Sequence, residues 1–215
     1  MKRIQLLTLS ALLLAMAALA AVLWFVATPA QPPRPLPAAL NDVLLPEPRP
    51  LEDFALTDMN GKPFDLKRLN EGWSFIFFGY THCPDICPTA LTTLRLAAKQ
   101  LEQGEGNYRD TRFVFISVDP RRDSLAQLKQ YVGYFHPDFL AATGDKGQID
   151  TLARQLGAVY MFDGDTDSED YIVNHSASIV LVDPQGRWVG RFNPPHSAAA
   201  IADEYRALRD YFHND

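Results

Sequence analysis

Cysteine is nearly absent from this chain: its 215 residues contain two. Two are too few for a disulfide scaffold, and too few for an all-cysteine zinc or iron–sulfur site. Basic charge is in the minority. Twenty Lys and Arg stand against 26 Asp and Glu, a formal net charge of −6. That balance argues against a nucleic-acid binder, which needs a basic face for the phosphates. Internal repeats are missing, and so is low-complexity sequence outside one proline-rich stretch. A hydrophobic content of 47% excludes disorder and collagen-like architecture. What remains is a chain of one domain or a little more. If the cysteines act, they act as a pair, or as a pair with a third group.

Charge is missing altogether between Arg3 and Arg34. Inside that gap, Ile4 to Val26 holds only Gln5, Thr8 and Ser10 as clearly polar residues. At roughly 1.5 Å per residue the run spans about 34 Å, enough for a hydrocarbon core of roughly 30 Å. Ala18-Leu19-Ala20 fits a signal-peptidase pattern, but the apolar run continues to Val26, which favours an uncleaved anchor over residues 1–28. No cysteine follows the run, so a lipoprotein anchor is excluded. Lys2 and Arg3 belong on the cytoplasmic side, so the rest is exported. The segment lacks the Arg- and Ser-rich amphipathic character of a mitochondrial transit peptide. The expected setting is a bacterial inner membrane, with a single-pass transmembrane helix and a soluble periplasmic domain. Residues 29–50 carry eight of the 16 prolines and are expected to form an extended, semi-rigid linker. The folded unit is then expected over residues 51–215, with 16 basic and 24 acidic residues, a net −8. That makes nucleic acid or an anionic membrane surface a poor partner for the domain itself.

The pattern within the domain is α/β. Trp73 to Phe78 and Phe113 to Val118 are short continuous apolar runs, as in strands buried on both faces. Between them Leu91, Leu94, Ala98 and Leu101 recur at helical spacing, giving a β-α-β unit with parallel strands. Ser124 and Gln127 have capping-box spacing before a helix whose stripe is Leu125, Leu128, Val132 and Phe135. Ile149, Leu152, Ala153 and Leu156 mark a further helix, with Gly157 as its stop. Ser178–Val182 and Arg187–Phe192 flank Asp183-Pro184-Gln185-Gly186 and read as a β-hairpin. Ile201, Tyr205, Leu208 and Phe212 give a last helix. A βαβ half followed by a ββα half predicts a thioredoxin-like domain, and the helical material between the halves predicts an insertion.

Both cysteines lie in Thr81-His82-Cys83-Pro84-Asp85-Ile86-Cys87-Pro88, between the first buried strand and the first long helix. Pro88 suits the first helical position, which would put Cys87 at the N-cap and Cys83 in the preceding turn. The positive helix end favours thiolate, the form needed for metal bonds and for thiol–disulfide exchange. A plain disulfide is the bland alternative in an oxidising compartment, but so small a loop adds little stability. Three residues separate the cysteines, where a thioredoxin-type redox motif has two. A thioredoxin-fold oxidoreductase places a cis-proline before the hairpin, facing the cysteines. Here no proline lies between Pro137 and Pro184, and the region reads Tyr171-Ile172-Val173-Asn174-His175-Ser176. In this fold His175 would be aimed at the cysteines. Two thiolates and an imidazole suit low-coordinate Cu(I) and can be expanded for Cu(II). His82 is expected to point away from Cys83. His136, His196 and His213 are expected to be solvated.

With these residues in view, the sequence resembles the Sco (SenC) family of copper-binding cytochrome c oxidase assembly proteins. Cys83-Pro84-Asp85-Ile86-Cys87-Pro88 matches the family's Cys-Pro-x-x-Cys-Pro motif. Ser117-Val118-Asp119-Pro120 with Arg122-Asp123 matches a second motif, and Tyr171 to Ser176 a third. The resemblance implies a thioredoxin-like domain that binds one copper through Cys83, Cys87 and His175. It implies delivery of copper to the binuclear copper centre of a haem–copper oxidase, or reduction of that centre's thiols. The partners would be the oxidase's copper-accepting subunit, and a thiol reductant or a copper donor protein. Asn174 departs from the pattern, which usually has Asp there; the change removes a negative charge beside the metal and leaves the ligands intact. The competing reading is a thiol–disulfide oxidoreductase in which Cys83 and Cys87 are redox-active without metal. A peroxidase of the peroxiredoxin kind ranks lower, because Thr81 is two residues rather than three before Cys83 and Phe77 stands where its proline belongs. A zinc hydrolase ranks lower still, since Asp85 is the one nearby acid.

Overall fold

The computed structural model describes residues 13–21, 23–24, 35–104, 108–168 and 170–213. The chain divides into two units, Met1–Pro35 and Leu36–Asp215. In the first, residues 13–21 and 23–24 are helical. Among the described residues no helix is long and apolar enough to cross a membrane. The anchor expected over residues 1–28 falls partly outside the described residues.

The second unit is built on an eight-stranded mixed sheet. Its strands are β1 (Leu44–Pro50), β2 (Ala55–Asp58), β3 (Pro63–Asp65), β4 (Trp73–Gly79), β5 (Thr111–Ser117), β6 (Leu140–Thr143), β9 (Ile179–Val182) and β10 (Arg187–Phe192). They lie in the order β1-β10-β9-β4-β5-β6-β2-β3. The pairs β4/β5 and β5/β6 are parallel, and the other pairs are antiparallel. A separate antiparallel ribbon joins β7 (Tyr160–Asp163) to β8 (Ile172–His175). The helices are α1 (Leu66–Leu69), α2 (Ile86–Gln103), α3 (Leu125–Phe135), α4 (Lys146–Gln155) and α5 (Ala198–His213).

Strand β4 is buried at every position, as its unbroken apolar run predicts. Its alternate residues serve two cores. Phe75 and Phe77 join Leu91, Leu94, Leu128, Val132, Tyr205 and Leu208, from α2, α3 and α5. Ile76 and Phe78 join Ile149, Leu152, Tyr171 and Val173, from α4 and the ribbon. Phe75 stacks on Phe113 at 4.9 Å and meets Tyr205 edge-on at 4.8 Å. The Ser124–Gln127 capping box forms with both of its hydrogen bonds, and Gly157 follows α4 with φ +62°. The β-α-β unit, the terminal hairpin and the thioredoxin-like α/β architecture are all present. Between β5 and β9 lie α3, β6, α4 and the β7–β8 ribbon.

The compact unit begins earlier than the expected Leu51. It reaches back to Leu36, with a 3-10 turn at Ala38–Leu40 that buries Leu40 and Val43. The proline-rich Leu44–Pro50 is edge strand β1 against β10, with an irregular register between Leu44 and Arg49. An edge strand pairs on one side, so alternate N–H groups are dispensable, and Pro46, Pro48 and Pro50 occupy alternate positions.

Candidate metal centre

The site forms where the first buried strand ends. Strand β4 stops at Gly79, the chain turns through Tyr80–Asp85, and α2 begins at Ile86. The turn closes with the Cys83 N–H donating to the Tyr80 carbonyl at 3.2 Å. The helix starts two residues earlier than Pro88 suggested. Asp85 is the N-cap, Cys87 is the second helical residue and Pro88 the third. Pro88 still falls where an N–H has no helical partner, so its ring costs no hydrogen bond. The Cys87 N–H points back to the Cys83 sulfur at 3.4 Å. Gly79 makes room for this arrangement, since a Cβ there would lie 2.4 Å from Cys87 Sγ and 2.8 Å from the Phe115 ring.

His175 ends β8 and arrives from the ribbon. Its Nε2 is 3.3 Å from Cys87 Sγ. Its Nδ1 is 3.1 Å from the Ser176 carbonyl, which can only accept, so Nδ1 carries a hydrogen and Nε2 is the nitrogen that faces the sulfurs. Phe77 and Tyr80 meet the imidazole edge-on at 5.8 and 6.0 Å and fix its plane. One ligand atom each from Cys83, Cys87 and His175 lies within 4.8 Å of the others. This is the set expected from the sequence. Two soft sulfurs and an imidazole match copper or zinc and not a hard cation. Both cysteines are free thiols, Cys83 half-buried and Cys87 buried.

The two sulfurs are electrostatically unequal. A hydrogen bond from the Cys87 thiol is the main cause that pulls Cys83 down to about 3, and His175 and the backbone N–H groups of the turn add to it against the opposing effect of burial. Burial first, then the hydrogen bond to Cys83 and the charge on that sulfur, push Cys87 far above an ordinary thiol. At neutral pH the pair therefore holds one thiolate, on the more exposed sulfur.

The other histidines lie elsewhere. His82 is exposed, with Nδ1 3.1 Å from Thr81 Oγ1 and 3.7 Å from Asp123 Oδ1. His213 is exposed at the end of α5. Two expectations of solvated histidines need correction. His136 stacks on Phe139 at 5.2 Å, with Nε2 3.6 Å from Glu102. His196 Nε2 donates to the Ala177 carbonyl at 2.7 Å. Each has an apolar ring body that packs and a polar nitrogen that finds a partner.

Four supporting residues escaped a functional reading from sequence. Asp119 is fully buried; it accepts from Arg122 Nε at 2.5 Å and from the Tyr171 hydroxyl at 2.6 Å. The Arg122 guanidinium also donates to the Tyr171 carbonyl at 2.9 Å and lies 3.5 Å over its ring. These contacts tie the foot of β8, and so His175, to the loop after β5. Asp123, on the same loop, reaches Thr81 in the cysteine turn. The available signal was a second motif, Asp-Pro-x-Arg-Asp, placed directly after a buried strand.

Comparison with known proteins agrees with the geometry. The chain is 37% identical over 154 residues to the SCO2-like protein of Rickettsia prowazekii, covering 71% of this chain and 74% of that protein. A copper-bound ScoI structure from Arabidopsis thaliana superposes with TM-score 0.68 at 35% identity, covering 74% of this chain and 98% of that one. A copper-bound ScoI from Bradyrhizobium japonicum gives TM-score 0.65 at 35% identity, over 74% and 99% of the two chains. The SCO1/SenC family model matches residues 46–210, and the chain belongs to that family.

Proposed function

We propose that this protein is a copper chaperone that binds one copper ion through Cys83, Cys87 and His175. It delivers the ion to the binuclear copper centre of a cytochrome c oxidase during assembly. The observation that carries this reading is the convergence of two sulfurs and an imidazole nitrogen within 4.8 Å at the end of β4. The copper-bound state of the two ScoI relatives supports it. Three protein ligands leave a coordination position for a ligand of the acceptor. Transfer then proceeds by exchange. An acceptor cysteine enters as thiolate, the half-exposed Cys83 leaves, and Cys87 and His175 follow. The N-terminal apolar run anchors the chain in a bacterial inner membrane, with the domain in the periplasm facing the copper-accepting subunit. A copper donor protein and a thiol reductant complete the cycle.

Copper(I) titration of the reduced soluble domain tests the assignment. The parent is expected to bind one ion, and His175→Ala and Cys83→Ser are expected to bind far more weakly. Parent-like affinity in both variants defeats the site. In the cell, normal assembly of the oxidase copper centre in a deletion strain on copper-poor medium counts against the chaperone role.

A second reading is favoured by the inequality of the thiols. Cys83 as thiolate attacks a disulfide of the partner, forming a mixed disulfide and releasing one partner thiolate. Cys87 then loses its proton and attacks the Cys83 sulfur, closing the Cys83–Cys87 disulfide and releasing the second partner thiolate. Two electrons pass to the partner. Reductase activity that survives His175→Ala favours this role over copper transfer.

A further inference from the structure

Asp123 is 1% exposed. A buried carboxylate is costly unless donors surround it, and here there are three. Oδ1 accepts from the Thr81 hydroxyl at 2.5 Å; Oδ2 accepts from the Thr81 N–H at 3.0 Å and from the Ser117 hydroxyl at 2.6 Å. Two of the three donors thus belong to one residue, two positions before Cys83. The base of the carboxylate is rigid. The Asp123 N–H donates to the Asp119 carbonyl at 3.0 Å, the Asp119 N–H to Ser117 Oγ at 3.1 Å, and the Val118 N–H to the Gly79 carbonyl at 2.9 Å. Asp123 therefore spans the ends of β4 and β5 and holds the cysteine turn through Thr81. The half-exposed Cys83 is fixed by its own N–H bond to Tyr80 and by this hold on Thr81. The Thr81 hydroxyl, having donated to Asp123, can accept from His82 Nδ1, which keeps the His82 ring on the solvent side of the turn.

We propose that Asp123, acting through Thr81, is a positioning residue that sets where the Cys83 sulfur sits relative to Cys87 and His175, and so how tightly the centre holds copper. The inference rests on the copper reading above and extends it to a residue that touches no ligand. Three variants of the soluble domain test it. Asp123→Asn keeps the size but turns one acceptor into a donor. Thr81→Val removes the hydroxyl and keeps the backbone N–H, and Thr81→Ser restores the hydroxyl. Copper(I) affinity is measured by competition with a chromophoric chelator, and the copper(II)–thiolate charge-transfer absorption is recorded alongside. Asp123→Asn and Thr81→Val should weaken copper(I) binding about 10- to 100-fold and shift the absorption, the range expected when outer partners of a metal site are lost. Thr81→Ser should stay near the parent. Where Asp123→Asn fails to fold, the threonine pair carries the comparison. Parent-like affinity and absorption in Thr81→Val overturn the proposal, and so does an equal loss in Thr81→Ser. A second readout uses no metal: the equilibrium of the Cys83–Cys87 disulfide with glutathione should move in Thr81→Val and return in Thr81→Ser. A parent that binds no copper defeats the copper reading, and the glutathione equilibrium then decides the positioning role alone.

Discussion

Reduced, metal-free protein should present one reactive thiolate, on Cys83, over an unusually wide pH range. Cys83 is half-buried and held at about 3, chiefly by the hydrogen bond from the Cys87 thiol. An ordinary thiol near 8.5 is ionised in about one molecule in 3,000 at pH 5, whereas Cys83 is almost wholly ionised there. Low-pKa thiolates are weaker nucleophiles. With a Brønsted slope of about 0.4–0.5, the gap between about 3 and the ordinary value near 8.5 costs roughly 300-fold in intrinsic reactivity. Cys83 should therefore react with iodoacetamide about tenfold faster than an unfolded control at pH 5, and roughly 100-fold or more slower at pH 9. Peptide mapping after timed alkylation measures both rates. The Cys83 rate should be flat from pH 5 to 8, while the control climbs about tenfold per unit. Cys87→Ser keeps a donor and should keep the profile flat. Cys87→Ala removes the largest contribution and should move the midpoint upward, and His175→Ala should move it upward by less. The sign for stability follows. The folded value of Cys83 lies below the unfolded one, so its contribution is fully present above about 8.5 and is lost as pH falls toward 3. Cys87 is raised, so its contribution is present below about 8.5 and is lost at alkaline pH. A parent profile that climbs tenfold per unit through pH 5–8 would refute the unequal pair.

Further consequences can be measured directly. Copper(I) binding at pH 7 should release about one proton from the two thiols rather than two, because Cys83 is already ionised; an indicator dye in weak buffer reads the count. Gly79→Ala would set a methyl 2.4 Å from Cys87 Sγ, where ordinary contact is about 3.5–4.0 Å. It should destabilise the domain by about 1–3 kcal/mol in urea melts and weaken copper binding by displacing that sulfur. Tyr171→Phe deletes the hydroxyl that donates to buried Asp119 and should cost about 1–3 kcal/mol by the same assay. Ser124→Ala removes the capping box of α3 and should cost about 1 kcal/mol without touching copper affinity.

The centre was legible because its chemistry is written in residue types that are scarce here. Two cysteines with three residues between them, and a histidine where a proline would otherwise face them, single out the three residues that the fold then brings together. The buried strands were legible for a related reason. Seven consecutive residues from Trp73 to Gly79, all buried, leave no polar alternation to interpret. Strand β1 was harder to see, because proline density suppresses both strand and helix expectations. What it permits is a strand that pairs on one side, and that depends on where β10 lies. The β7–β8 ribbon was hidden in another way. Its inner positions Phe162 and Val173 alternate with exposed Met161, Ile172 and Asn174, so apolar residues appear on both faces and the period-two signal cancels.

The acidic residues explain why the support of the site was not legible. As a sum, −8 over residues 51–215 describes a charged surface. Yet Asp58, Asp119, Asp123 and Asp183 are all buried. Asp58 and Asp183 accept from backbone N–H groups of their own turns, Asp119 accepts from Arg122 three residues on, and Asp123 accepts from Ser117 six residues back. A short carboxylate after a strand is a good turn former, and most such residues close a loop and do nothing more. Asp119 and Asp123 differ because their loop stands between the two segments that carry the ligands. Asp119 reaches Tyr171 on the histidine side, and Asp123 reaches Thr81 on the cysteine side. Nothing in their spacing announces those contacts, which are 52 and 42 residues away in sequence. The Asp123–Thr81 contact exists because β4 and β5 are parallel and adjacent, so the loops at their C-terminal ends lie side by side; the Asp119–Tyr171 contact exists because the β7–β8 ribbon brings Tyr171 to the same loop. The ligands are therefore a property of local sequence, and their alignment is a property of topology. A substitution at Asp123 should change copper binding while leaving Cys83, Cys87 and His175 themselves unsubstituted.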